Sequence, residues 1–234
     1  MPSIHVFIAN WEERSAEVIS DRVVQAISRY GSCNLFLTGG NTVQAVYRHL
    51  SSLPIMSSGK VVYFFGDERC VPPDHADSNW FAACRALFPH GVPDAVQVKR
   101  MQGESADPEA EAVRYENGLP QRIDVLLLAP GVDGHIASLF PGHSSLTCIN
   151  RRIVAVDIPS RGRRLTITPA VFQQTESVIV LARGRDKGSV MAKSLQHPRS
   201  VSELPVCLAM EAAWLLDEEA GQALNDMPDG ACKS

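Results

Sequence analysis

The sequence predicts an α/β fold, a three-layer α/β/α sandwich in which a largely parallel central sheet lies between two layers of helices. Three observations predict it. Short β-branched or apolar runs alternate along the chain with amphipathic stretches of helical period. Several runs, Val61–Phe65 and Val125–Ala129 among them, are apolar at consecutive positions, as strands are when both faces of their sheet are covered. The composition can fill such a core, because 45% of the 234 residues are hydrophobic, 21% are charged and the mean hydropathy is −0.04.

The elements follow in order. Ile4–Ala9 reads as a first strand. Asn10 and Glu13 have capping-box spacing and open a helix whose apolar stripe is Ala16, Ile19, Val23, Ile27 and Tyr30. Gly31 stands where a C-cap is needed. Asn34–Thr38 is a short buried-type strand, Gly39-Gly40 a turn, and Thr42 to Leu50 a helix. Further strands are expected at Val61–Phe65, Val125–Ala129, Ile153–Ile158, Leu165–Thr168, Val178–Leu181 and Val206–Met210. There is no internal repeat and no Pro/Gly/Ser-rich linker, so residues 1–224 are expected to form one domain, with Asn225–Ser234 as a loose polar tail.

Charge and cysteine usage exclude several classes. With 22 basic and 26 acidic residues the net charge is −4, and no basic surface for nucleic acid is advertised. No apolar run reaches the roughly 18–20 residues of a membrane span. The start, MPSIHVFIANWEERSAE, lacks the basic region and cleavage pattern of a secretory leader. Cysteines 33, 70, 84, 148, 207 and 232 form no Cys-x-x-Cys pair, which fits reduced thiols in a cytoplasmic chain. A monomer and a small homo-oligomer are equally compatible with the sequence.

The expected arrangement is Rossmann-like, and in such sheets ligands collect outside the carboxyl ends of the strands. Four segments at strand ends carry chemistry. Thr38-Gly39-Gly40-Asn41-Thr42 joins a strand to a helix, where free backbone N–H groups can receive an anion and two hydroxyls can help. A plain turn with Thr42 as N-cap has the same sequence. The segment also lacks the endings of a P-loop and of a dinucleotide fingerprint. Gly66-Asp67-Glu68-Arg69 sets three charges directly after an apolar strand, which requires exposure, mutual pairing or a functional partner such as an oxyanion for Arg69. In Asp133-Gly134-His135, within a glycine-rich turn, an imidazole that titrates near neutrality stands beside a carboxylate able to fix its tautomer. His143 lies near His135, but no carboxylate or cysteine cluster completes a metal site. Finally, Arg161, Arg163 and Arg164 precede one strand while Arg185 and Lys187 follow another, a supply of cations suited to a phosphomonoester or to a solvated face.

Taken together and in this order, the segments resemble the 6-phosphogluconolactonase family, of the superfamily that includes glucosamine-6-phosphate deaminase and ribose-5-phosphate isomerase. Gly66–Pro72 (GDERCVP) and Asp133–Gly142 (DGHIASLFPG) carry the resemblance, supported by Arg164-Leu-Thr-Ile-Thr, Gly184-x-x-Lys187 and Trp214-Leu-Leu-Asp217. It spans roughly Asn34 to Ala220. Thr38-Gly39-Gly40-Asn41-Thr42-Val43 stands where the family usually has Ser-Gly-Gly-Ser-Thr-Pro, and Ala129-Pro130-Gly131 where it usually has Gly-x-Gly. The related deaminases continue Asp-Gly-His-Ile-Ala with Phe-Asn-Glu-Pro, and their acid–base glutamate falls at Phe140, which cannot move protons.

The resemblance implies hydrolysis of 6-phospho-D-glucono-1,5-lactone to 6-phosphogluconate, with no cofactor and no metal. It implies His135 as base toward water, Asp133 as its orienting partner, and Arg69 with Asp67 at the developing oxyanion. Thr38, Gly39, Gly40, Thr42, Arg164 and Lys187 would hold the phosphate. A serine nucleophile at Ser138 is the competing mechanism, although no G-x-S-x-G elbow exists in the chain. A catalytically silent phosphosugar sensor is the competing function.

Overall fold

The computed structural model describes residues 1–226. Its centre is a parallel seven-stranded sheet built from β1 (Ser3–Phe7), β2 (Cys33–Leu37), β3 (Val61–Phe65), β5 (Gln97–Val98), β6 (Ile123–Leu128), β9 (Thr175–Ala182) and β10 (Ala213–Asp217). The spatial order is β1-β10-β9-β6-β2-β3-β5. Between them in the chain lie β4 (Asp67–Arg69), β7 (Ile153–Ile158) and β8 (Gly162–Ile167), which form a separate antiparallel sheet in the order β4-β8-β7.

Helices α1 (Trp11–Tyr30), α2 (Asn41–Ser51) and α3 (Asn79–Leu87) cover one face. Helices α4 (Pro108–Asn117), α5 (Arg185–Gln196) and α6 (Glu218–Asn225) cover the other, together with the small sheet. The consecutive apolar residues of each strand divide between the two faces. Leu35 and Leu37 pack toward α1 and α2, whereas Phe36 between them stacks on Phe64 with ring centroids 5.0 Å apart in the opposite layer. This is the pleat acting on a doubly covered sheet, and it explains why β6 is buried along its whole length. Among the described residues no helix is long and apolar enough to cross a membrane.

Several expectations need correction. Ile153–Ile158 and the run ending at Thr168 are strands, but they pair antiparallel with each other, apart from the main sheet. A three-residue connection, Pro159 to Arg161, allows only antiparallel pairing. Val206–Met210 is not a strand. Pro205–Ala209 is a buried 3₁₀ turn, and the strand follows at Ala213–Asp217. A short apolar run has no period that separates the two outcomes. Asn10 forms no capping box: it adopts the left-handed conformation (φ 54°) without a side-chain cap bond, and its carbonyl accepts the Arg14 N–H at 2.9 Å. Gly31 does close α1 as expected, at φ 80°, with its N–H on the Ile27 carbonyl. The first strand ends at Phe7, short of Ala9. Asn225 closes α6, and the rest of the expected tail, from Met227 onward, lies outside the described residues.

Candidate active site

The chain leaves β2 toward β3 on one side and leaves β6 toward β9 on the other, so β2 and β6 are neighbours whose connections diverge. Such a divergence opens a crevice at the carboxyl ends of the two strands. A cleft of about 260 Å³ lies there, lined by Thr38, Gly39 and Gly40 after β2 and by Ala129 to Val132 and His135 after β6. Asp67 and Arg69 of β4, Asn79 of α3, Arg164 of β8 and Lys187 of α5 complete its wall.

The loop after β2 is fixed from behind. The Tyr47 hydroxyl on α2 accepts the Thr38 N–H at 3.0 Å and donates to the Thr38 carbonyl at 2.8 Å. Gly40, not Thr42, is the N-cap residue of α2, at φ 106° and ψ 155°, a conformation costly to any residue with a Cβ. Gly39 is required by space, since a Cβ there would stand 1.9 Å from Asn79 Oδ1. The Thr42 hydroxyl faces α5 and accepts a bond from Lys187 Nζ at 3.0 Å. Valine in place of proline at position 43 leaves the helix start at Asn41 intact.

The loop after β6 presents the histidine. His135 Nδ1 is hydrogen-bonded to Asp133 Oδ1, and the His135 backbone N–H reaches the same oxygen at 3.2 Å. A carboxylate acceptor assigns the proton to Nδ1, and Nε2 has no hydrogen-bond partner among the described residues. Burial pushes the Asp133 carboxyl up, but the His135 hydrogen bonds and charge and the Arg161 guanidinium outweigh it and hold it below the usual carboxylate range. Gly131 makes this possible. Its N–H donates to the His135 carbonyl at 2.8 Å, and a Cβ would lie 2.1 Å from the imidazole Cε1 and 2.7 Å from Asp133 Oδ1. Ala129-Pro130 therefore leaves unchanged the one glycine whose absence would displace the ring. Phe140 stacks on the imidazole with centroids 4.4 Å apart.

The same cleft holds a concentration of cations, Arg69, Arg164 and Lys187. Arg69 and Arg164 are directly opposed cross-strand partners in the β4–β8 ladder, a like-charge pairing that destabilises a sheet by itself. Both have a buried Nε without a partner. Burial, then the neighbouring Arg69, lowers the Arg164 pKa, and burial alone lowers that of Lys187. Three cations thus line one cleft with unused donors, an arrangement that an anion would complete.

The acidic neighbours are otherwise engaged. Asp67 is buried and accepts from Ser138 Oγ at 2.7 Å and from Asn79 Nδ2 at 3.0 Å. Ser138 is wholly buried, with its hydroxyl spent on Asp67, which argues against a serine nucleophile. Glu68 neither pairs with Arg69 through its guanidinium nor reaches solvent. Its carboxylate accepts the backbone N–H groups of Arg69, Asn79 and Trp80 at 2.7–2.8 Å, closing the start of α3. Replacing Glu68 by Ala strands these buried donors, and a loss of roughly 3 kcal/mol or more is expected in chemical denaturation.

Of the other arginines, Arg163 is directed at Asp157 and Arg185 at Asp226, away from the cleft, so Arg164 is the member of its cluster that lines it. Two residues serve the site in ways the sequence does not signal. Asn79 is the first residue of α3 and reaches Asp67 across the fold, and Arg161 reaches the second oxygen of Asp133 at 3.1 Å.

Residues 9–216 match the family described as glucosamine-6-phosphate isomerases/6-phosphogluconolactonase. The chain belongs to this family. Within it, a 6-phosphogluconolactonase from Synechocystis is 32% identical over 226 residues, covering 91% of this chain and 93% of that protein. A solved 6-phosphogluconolactonase from Trypanosoma brucei superposes with a TM-score of 0.81 at 26% identity, covering 96% of this chain and 99% of that one. One from Shewanella baltica has a TM-score of 0.82 at 21% identity, over 93% and 97% of the two chains, a likeness of fold. Both segments that carry the family resemblance, GDERCVP and DGHIASLFPG, meet at the cleft of this glucosamine-6-phosphate isomerase/6-phosphogluconolactonase family member, although their first residues, Gly66 and Asp133, are 67 positions apart in sequence.

Proposed function

We propose that this chain hydrolyses 6-phospho-D-glucono-1,5-lactone to 6-phosphogluconate, in one unit spanning residues 1–224. The observation that carries the reading is that an Asp-oriented imidazole and three cations without ion-pair partners among the described residues line one cleft. His135 Nε2 takes a proton from water as the water adds to the lactone carbonyl. The imidazolium then returns the proton to the ring oxygen as the C–O bond breaks. Asp133 holds the tautomer and balances the imidazolium. Arg69 stabilises the oxyanion and then the product carboxylate, while Asp67, bound to Ser138 and Asn79, keeps an acidic neighbour near Arg69 and Arg164.

Gly39, Gly40, Lys187 and Arg164 hold the phosphate, with Thr38 and Thr42 shaping the turn and steering Lys187. Binding energy from the phosphate, remote from the breaking bond, sets the carbonyl against the water. Phe140 places a ring that cannot titrate beside His135, which favours a reaction with one acid–base group over sugar isomerisation or deamination. None of the proposed steps calls for a cofactor or metal ion.

The test is lactone hydrolysis above the spontaneous rate, with the phospholactone generated in situ and phosphate-free gluconolactone as control. Acceleration confined to the phosphorylated substrate is expected; hydrolysis at the background rate overturns the reading. Gly131→Ala is expected to lower kcat roughly 100-fold, because a misplacement of about 1 Å at the reacting group has that effect. Thermal protection by 6-phosphogluconate should persist in this variant, since the phosphate wall is untouched.

A further inference from the structure

We infer that Arg161 is a positioning residue for His135, acting through Asp133 and Phe140 without touching the substrate; this rests on the lactonase reading above. Arg161 sits at the tip of the β7–β8 hairpin, outside the central sheet. The turn is tightly specified: Ser160 is left-handed at φ 61°, Gly162 has φ 75°, and the Arg161 N–H closes the turn on the Ile158 carbonyl at 2.9 Å. A non-glycine residue in that conformation is held there by its surroundings.

From this tip the Arg161 side chain makes two contacts that converge on one imidazole. Its Nη2 donates to Asp133 Oδ2 at 3.1 Å, while Asp133 Oδ1 is the oxygen that holds His135 Nδ1. Its guanidinium carbon stands 4.9 Å from the centre of the Phe140 ring, which also stacks on the His135 ring at 25° and 4.4 Å. The carboxylate therefore has one oxygen for each partner and cannot rotate without losing both. The phenyl ring is held against the imidazole by a cation on its edge of the cluster. Arg161 does not line the cleft, and neither does Asp133.

The same turn also steadies the anion side. The Arg161 carbonyl accepts Arg164 Nη2 at 3.3 Å, and Arg164 lies 5.7 Å from the Phe140 ring. Arg163, next but one in sequence, is directed toward Asp157 instead. The hairpin of the small sheet thus reaches the histidine's orienting groups from outside the crevice.

The test uses the full chain with Arg161→Met, which keeps the aliphatic stem, and Arg161→Lys, which keeps the charge. Protein carrying ¹⁵N-labelled histidine reports the His135 tautomer, its resonances being those lost in His135→Ala. The wild type should show the proton on Nδ1, and Arg161→Met should show a mixture of tautomers. In kinetics, kcat should fall roughly 10- to 100-fold in Arg161→Met with KM unchanged, and Arg161→Lys should recover most of the loss. An unchanged nitrogen spectrum overturns the inference, as does a rise in KM without a fall in kcat, which would make Arg161 a substrate contact. Should the wild type show no lactonase activity, the nitrogen spectrum still decides whether Arg161 fixes the imidazole, so the two readings fail separately. If Arg161→Met does not fold, Arg161→Gln carries the same measurements.

Discussion

Substitution of His135 by alanine is expected to lower kcat for lactone hydrolysis by roughly 10²–10⁴-fold, the range of a positioned proton-transfer group. That corresponds to about 3–5 kcal/mol of barrier. The cations of the cleft are unchanged by the substitution, so 6-phosphogluconate is expected to raise the unfolding temperature of His135→Ala as much as that of the wild type. Asp133→Asn keeps the side chain's shape but loses the carboxylate that assigns the proton to Nδ1, and its kcat is expected to lie between the two. Because the folded state holds the Asp133 carboxyl below its ordinary value, ionised Asp133 contributes stability above that ordinary value, and the contribution is lost as the pH falls through the lowered one. Acid unfolding of Asp133→Asn should lack this component. Activity of His135→Ala close to wild type would remove the imidazole from the mechanism.

Removing a cation from the cleft is expected to strengthen the free protein while weakening its hold on phosphate. Arg164→Met takes one charge from a cross-strand arginine pair, and directly opposed like charges cost up to about 1 kcal/mol. The free variant should therefore unfold slightly above the wild type. A charge-assisted hydrogen bond contributes about 1.5–3 kcal/mol, so KM should rise roughly ten- to a hundredfold, and protection by 6-phosphogluconate should shrink with it.

Lys187→Met should behave in the same way and adds a pH signature. Burial lowers the Lys187 pKa below its ordinary 10.5, so the unfolded chain binds the proton more tightly than the folded one. Wild-type stability then rises as the pH climbs through the lowered value toward 10.5, and falls as the pH returns below it. The difference in stability between Lys187→Met and wild type should narrow over that interval. A variant that loses stability yet binds 6-phosphogluconate normally would mean that these cations serve the fold. Stability given up for unpaired charge is what a binding site shows when it is empty.

The sequence by itself determined the layers and most of the residues at the cleft. Continuous apolar runs at Val61–Phe65 and Val125–Ala129 read as strands covered on both sides, and glycines and charges after them mark the carboxyl edge of the sheet. The pairing of His135 with Asp133 was legible because the two are separated by one glycine, within reach of a single turn. The tertiary structure decided what depends on partners distant in the chain. It set Arg69 against Arg164 through a three-residue strand too short to carry a pattern, and it spent Asp67 on Ser138 and Glu68 on the start of α3. Pairing partner, not local propensity, moved Ile153–Ile158 and Gly162–Ile167 out of the parallel sheet and turned Pro205–Ala209 into a helical turn. The physical reason is one of range. Periodicity and turn chemistry are local and written in neighbouring residues, whereas the direction and engagement of a charged side chain are settled by whichever group the folded chain brings to it.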